Sequence, residues 1–395
     1  MTRTPGVRCM ARLPLAALLA LTGALSAPTA QAVDWSGYFR AGPGLTSNST
    51  NRACYALNGG TSGMKYRLGN ECDLYGEFLL SQDVKKDGLE ARVSLMTNHY
   101  TGNTDTDGKG LAIEQLWAEV KGFDFAPEAT FWIGKERGRR GDVHIVDTFF
   151  TEMKGVGAGV KNVGGTFGVA YYKNDDQPNK PGHRVNFEWV NLPANDDAKL
   201  NVFATLTKGQ FTGGTSGAAL ALRHDQSKFL GTGLSNTLWV QLSQGSAALN
   251  SNFGDLSAGS KAKGWRIVES FNGQSGALGG QVMLLLAKET NGAGVSTTSS
   301  SIGGRMSYGL SRHFKFVSEL GVSQYKPEGG ATARLTKLTL APTLSIDSSF
   351  WSRPELRFYV TTAKWNAAAG NVTGNPAFNG KTSGTSAGAQ VEWWF

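Results

Sequence analysis

From Lys337 to Ile346 apolar residues take every second position: Leu338, Leu340, Pro342, Leu344 and Ile346 alternate with Lys337, Thr339, Ala341, Thr343 and Ser345. A helix has no use for such a pattern, because its apolar stripe recurs every 3.6 residues, whereas successive side chains of a strand leave opposite faces. The alternation returns in Leu200, Val202, Ala204 and Leu206 against Asn201, Thr205 and Thr207, and in Phe316, Leu320 and Val322 against Glu319 and Ser323. Such segments recur roughly every 20 residues, divided by turn-forming clusters such as Lys173-Asn174-Asp175-Asp176 and Phe271-Asn272-Gly273-Gln274. The chain is therefore expected to be all-β.

Its first 32 residues are different. Arg3, Arg8 and Arg12 precede an apolar run from Leu13 to Leu25, and Ala30-Gln31-Ala32 follows. That order is a secretory signal peptide cut after Ala32, with an apolar run too short for a membrane helix. Of the 395 residues, 363 remain after the 32 of the leader, and the formal charge of +8 drops to +5 with its three arginines. A charge so modest, without a Lys/Arg block, argues against nucleic-acid binding. Cys9 leaves with the leader, so the exported Cys54 and Cys72 are expected to form one disulfide. The histidines are scattered, none at ligand spacing from the cysteines, so neither a metal nor a cofactor is expected.

A soluble β-sandwich also alternates, but it seldom has strands of ten residues or 363 residues in one domain. Transmembrane barrels need strands of about 9 to 11 residues, apolar toward lipid and polar toward a lumen. A repeat of about 20 residues gives roughly 16 to 18 strands, enough to leave an aqueous channel. The closing Gln390-Val391-Glu392-Trp393-Trp394-Phe395 fits, with Val391, Trp393 and Phe395 on one face and Gln390, Glu392 and Trp394 on the other. The reading is thus a signal peptide, 1–32, followed by one outer-membrane antiparallel β-barrel, 33–395, in contact with lipid.

No enzyme is indicated. Gly384-Thr385-Ser386-Ala387-Gly388 spells a nucleophile elbow, yet only seven residues follow it and none is His. Arg140-Gly141-Asp142 and Asn48-Ser49-Thr50 are short enough to be accidents. More telling is where rings and charges share a face: Tyr38 with Arg40, Tyr75 with Glu77, Trp394 with Glu392. Interfacial girdle aromatics account for Phe39 and Trp393 but not for rings on the polar face. The densest mixture of charge and ring is Arg139 to Phe150, between the strand-like Thr130 to Lys135 and the glycine-rich Gly155 to Gly159.

At these residues the chain resembles the maltoporin family of trimeric, 18-stranded, sugar-specific porins. The matching motifs are Val33-Asp34-Trp35-Ser36-Gly37-Tyr38-Phe39-Arg40, Lys65-Tyr66-Arg67-Leu68-Gly69-Asn70-Glu71-Cys72, Gly141-Asp142-Val143-His144 with Asp147, Trp351-Ser352-Arg353-Pro354 and Glu392-Trp393-Trp394. The resemblance implies that Tyr38, Tyr75, Trp351 and Trp394 form an aromatic slide for sugar, with Arg40, Arg67, Glu77, Arg140 and Asp147 as its polar track. It implies a Cys54–Cys72 bond in the first extracellular loop and an inward-folded constriction loop from the 139–150 stretch. The implied function is passive, saturable passage of maltose and maltodextrins by a homotrimer. A porin for another short sugar, of the sucrose or glucose type, or a general diffusion porin is the alternative. Four positions depart from the family pattern: Phe149 stands where a constricting Tyr is usual, Glu114 near a track Arg and Leu220 at a slide Phe, and the 97–112 loop has no Trp to lend to a neighbouring subunit.

Overall fold

The computed structural model describes residues 33–47, 49–57, 64–102, 110–174 and 180–395. The leader, most of the 97–112 loop's tip and Asp175–Asp176 lie outside the described residues. The first strands are β1 (Asp34–Ala41), β2 (Gly44–Thr46), β3 (Leu74–Lys86), β4 (Leu89–Thr101), β5 (Ala112–Phe123), β6 (Ala126–Val143) and β7 (Thr148–Val163). Next come β8 (Phe167–Asn174), β9 (Gly182–Pro193), β10 (Ala198–Gly209), β11 (Ser216–Gln226), β12 (Leu234–Gly245) and β13 (Lys263–Ser275). The chain ends in β14 (Leu278–Thr290), β15 (Ser296–Ser311), β16 (Phe314–Pro327), β17 (Ala333–Ser345), β18 (Glu355–Trp365) and β19 (Ser383–Trp394).

Each strand pairs antiparallel with its neighbours, and β1 pairs with both β3 and β19, which closes the sheet. β1 and β2 run along the same partner, β19, and form one stave broken at Gly42-Pro43, so 19 segments make an 18-stave barrel. Closure leaves no unpaired edge for lipid or a second chain to meet. Val33, Phe395 and tight turns such as Asp87-Gly88 and Gly276-Ala277 lie at one end, while the long connections 47–73, 246–262 and 366–382 lie at the other. That asymmetry makes the long-loop end extracellular. The Phe271–Gln274 cluster, expected as a turn, is strand, because pairing with β14 continues to Ser275↔Leu278.

The alternation sorts the staves inside out. On β17, Leu338, Leu340 and Leu344 are 43–44% exposed, whereas Lys337, Thr339 and Thr343 are buried. In water this would be an inverted protein; in a bilayer the leucines meet acyl chains and the polar face meets the lumen. Rings close the outer surface where the termini meet, with Trp35 4.6 Å from Phe395 and Phe39 5.8 Å from Trp393, as an interfacial girdle requires. Leu220 shares this outer face, lying between the buried Ala219 and Ala221. It therefore cannot occupy a slide position, which corrects the expectation from the family pattern.

Two segments fill the lumen. The 47–73 connection carries the Cys54–Cys72 disulfide, with Cα atoms 5.9 Å apart, and its Tyr66–Gly69 part turns inward onto β15–β18. The Leu68 amide donates to Glu319 at 2.9 Å and Lys337 donates to the Leu68 carbonyl at 2.8 Å. The ring of Tyr66 enters a notch that only glycine permits: a Cβ on Gly321 would lie 2.1 Å from it, and one on Gly303 2.4 Å.

The second is the 139–150 stretch. It is a hairpin tip, not a loop, because β6 and β7 keep pairing through Arg140↔Glu152 and Asp142↔Phe149 to a turn at His144–Asp147. β6 leaves β5 beyond Lys135, and β7 joins β8 only from Val156. Between those points the pair has no neighbour in the wall. Its tip instead meets far staves: the Ile145 amide donates to Gln281 on β14 at 3.2 Å, and Gln241 on β12 donates to the Phe150 carbonyl at 2.5 Å. Ile145, Val146 and Phe150 are buried with Trp239, Val268, Met283 and Leu285, inward residues that depart from the polar lumen rule. At roughly 1.5–3 kcal/mol for each side chain, that contact is a firm anchor.

Candidate functional site

Beside the hairpin tip lies a cavity of about 310 Å³ lined by Tyr38, Arg40, Arg67, Tyr75, Glu77, Arg140, Asp142, His144, Asp147, Phe149 and Trp394. Nine of the ten residues expected for slide, track and constriction are in this lining. The tenth, Trp351, sits in the turn between β17 and β18, its ring 5.3 Å from that of His144. The register explains the meeting: Tyr38 stands opposite both Trp394 on β19 and Glu77 on β3, so all three point inward from adjacent staves.

The rings form a file. Tyr100, paired with Tyr75 across β3 and β4, lies 6.5 Å from it, and Tyr75 lies 6.1 Å from Tyr38. The ring of His144 then bridges Trp394, at 5.5 Å, and Trp351. Tyr100 escaped the sequence reading because its place beside Tyr75 depends on the strand register.

Most of the charges are already paired. Arg40 meets Asp73 at 2.6 Å, Glu71 at 2.7 Å and Asp147 at 3.0 Å; Arg67 meets Glu71 at 2.8 Å and Glu392 at 2.9 Å. Arg67 also donates to the Tyr38 hydroxyl, which donates to Glu392 at 3.2 Å, and this fixes the ring. Burial works to raise the Asp147 pKa, yet Arg67, Lys65 and Arg40 together hold it below the ordinary carboxylate value. Glu71 is likewise held down, against its burial, by Arg67, Arg40 and Lys65.

His144 shows the opposite balance. Burial, against the pull of Glu392 and with the help of Arg67, Arg305 and Arg353, holds its pKa well below the ordinary value, so the imidazole is neutral. Guanidinium groups approach its nitrogens at 3.1 Å from Arg353 and 3.4 Å from Arg67.

Arg140 and Asp142 are the exposed charges of the lining. Arg140 makes no ion pair among the described residues; its guanidinium lies 3.9 Å from the centre of the Phe149 ring, a cation–π contact. Asp147 pairs with Arg40, so Arg140 and Asp147 do not act as a couple. Phe149 faces the cavity while Phe150, of opposite parity, anchors the tip.

Glu77 leads to residues that the sequence reading did not join. Tyr75 donates to it, and Arg137 on β6 bridges it to Glu114 on β5, reaching the latter at 2.9 Å. Asn98 donates to Glu114 at 3.1 Å. The unusual Glu114 is thus balanced by Arg137, a pairing hidden by the bulges that shift β6 out of simple alternation. Ser386, the would-be nucleophile, is a buried strand residue bonded to Tyr55 at 2.9 Å. Among the described residues no three His, Cys, Asp or Glu side chains converge as metal ligands.

A family model described as LamB porin matches residues 33–395. The chain belongs to the LamB porin family. A maltoporin of Hahella chejuensis is 28% identical over 405 aligned positions, covering 95% of this chain and 96% of that protein. Among solved structures, OpdK of Pseudomonas aeruginosa, determined with vanillate, has a TM-score of 0.51 at 9% identity, covering 92% of this chain and 98% of its own. A second OpdK structure, described as an outer membrane protein, gives 0.50. These likenesses concern the fold alone. Family and closed barrel together make the protein a multi-pass β-barrel of the outer membrane, in a family of channels.

Proposed function

We propose that this porin passes neutral oligosaccharides by passive, saturable diffusion, with maltose and maltodextrins the first candidates and short sugars such as sucrose or glucose the second. The observation that carries this reading is a file of rings that runs through one charge-lined cavity and on to Trp351 beside it. A sugar offers apolar C–H faces and a rim of hydroxyls; Tyr75, Tyr38, Trp394 and Trp351 suit the faces, and Arg140, Asp142 and Glu77 suit the rim. At about 1 kcal/mol for each ring, four rings give about 4 kcal/mol, near a millimolar dissociation constant. Conduction needs binding of that order, strong enough to admit and weak enough to release.

The mature chain starts at Val33 and assembles as a homotrimer in this proposal, which rests on the family motifs. A general diffusion porin would conduct ions without saturable sugar block. Current block by a panel of sugars in planar bilayers tests the proposal: block that saturates with maltodextrins supports it, and ion flow indifferent to every sugar would remove it.

A further inference from the structure

The outer face of β12–β15 changes character at its extracellular end. Lowest is an apolar row in which Ile267 stands opposite Val240 and Leu286. Above it Trp265 stands opposite Leu242 and Lys288, and above that Lys263 stands opposite Gln244 and Thr290. Lys261, in the 246–262 connection, reaches within 3.6 Å of the position a Cβ on Gly294 would take. The upper two rows and Lys261 line an open groove of about 780 Å³, and the apolar row lies below it.

Lys261, Lys263 and Lys288 are exposed and make no ion pair among the described residues. One carboxylate shares the groove, that of Glu328, which accepts from the Ser296 amide at 3.0 Å. Three ammonium groups and one carboxylate leave the groove at +2. A half-exposed Trp265 marks the level where hydrocarbon gives way to headgroups.

We propose that this groove binds a phosphorylated, multiply acylated glycolipid of the outer leaflet. Acyl chains lie on the row of Val240, Ile267 and Leu286, the sugar headgroup rests by Trp265, and its phosphates meet the lysines. The lysines occupy two rows and the loop above them, so a headgroup with two phosphates can engage more of them than a phospholipid with one. The groove lies at the extracellular end, where such a glycolipid resides, and on the face opposite to the lumen, so the site is independent of the sugar path.

Native mass spectrometry of the delipidated full-length protein tests this with diphosphoryl lipid A, phosphatidylglycerol and inorganic pyrophosphate as probes. Each lysine near a charged lipid surface contributes about a fivefold factor, so combined Lys261→Gln, Lys263→Gln and Lys288→Gln should weaken lipid A binding about a hundredfold. Combined Lys208→Gln and Lys364→Gln, outward lysines at the same end of other staves, should leave it unchanged. Ion conductance equal to the parent's confirms a folded pore in both variants. Equal binding by the triple variant and the parent would overturn the proposal. So would equal losses in both variants, equal affinity for phosphatidylglycerol, or displacement of lipid A by pyrophosphate at matched concentration, which would reduce the groove to a free-anion site.

Discussion

Arg137 is the residue whose replacement says most about how this lumen is balanced. Its side chain is 12% exposed and lies between Glu77, 9% exposed, and Glu114, 20% exposed, while its amide donates to Gln115 at 2.8 Å. The trio sums to −1. Arg137→Gln leaves it at −2, with two carboxylates facing each other across the space the guanidinium held. At an effective dielectric of about 20, a pair at about 4 Å is worth about 4 kcal/mol. Partial exposure and side-chain entropy reduce this to about 2 kcal/mol for both contacts. The barrel survives such a loss, but Glu77 must turn toward water and takes the Tyr75 hydroxyl with it.

Two readings follow in planar bilayers. The zero-current potential across a KCl gradient should shift toward cation selectivity, and sugar block should weaken about tenfold or more, the loss of one charge-assisted hydrogen bond of about 1.5–3 kcal/mol. Adding Glu114→Gln returns the sum to −1 and should restore the selectivity. If Arg137→Gln leaves both the potential and the block unchanged, Arg137 does not control Glu77. If the double variant stays as cation-selective as the single one, charge balance is not the cause.

Trp394→Ala should weaken sugar block about fivefold and spare ion conductance, because the ring contributes stacking of about 1 kcal/mol and no charge; parental block would remove Trp394 from the sugar path. Phe149→Tyr should tighten block without changing conductance, whereas Phe149→Ala should raise conductance; conductance unchanged in the alanine variant would mean that this ring does not limit the width. The depressed pKa of Asp147 makes the charged form the stable one, so its contribution to holding the tip against Arg40 is complete above the ordinary value of about 4 and fades only as pH falls through its lower folded value. Block measured against pH should show no step near 6.5, and such a step would mean that His144 takes up a proton.

The wall of this barrel was legible because lipid and lumen impose one binary choice at every position. Leu338 and Lys337 declare their faces without reference to any partner, and Trp394 against Trp393 does the same. The content of the lumen was legible only where parity held a ring beside a charge, as in Tyr38 with Arg40. It was illegible where geometry depends on partners remote in sequence. Arg137 answers Glu77 sixty residues away through a bulged strand, and Tyr100 joins the file through the register of β4. Leu220 misled because matching a family position in a loosely similar region ignores parity, and one residue of slip turns a lumen ring into a lipid contact.

The distribution of paired charges also decides where a solute can pass. On β15–β18 the inward ions are satisfied within the wall and its filling: Glu319 holds Arg305 at 2.7 Å and Lys337 at 3.0 Å, Lys315 meets Glu355 at 2.8 Å, and all are buried. Breaking such a set would cost about 3–5 kcal/mol, more than a hydroxyl could return. The Leu68–Gly69 part of the 47–73 connection packs on these same staves, so their buried ions serve as structure. The exposed Arg140 and Asp142 and the half-buried rings of Tyr38, Tyr75 and Phe149 lie toward β1, β3 and the β6–β7 hairpin. On the proposed function, a chain of sugars follows an off-centre groove along this wall, where each unit keeps a ring face and a charged rim at the same time.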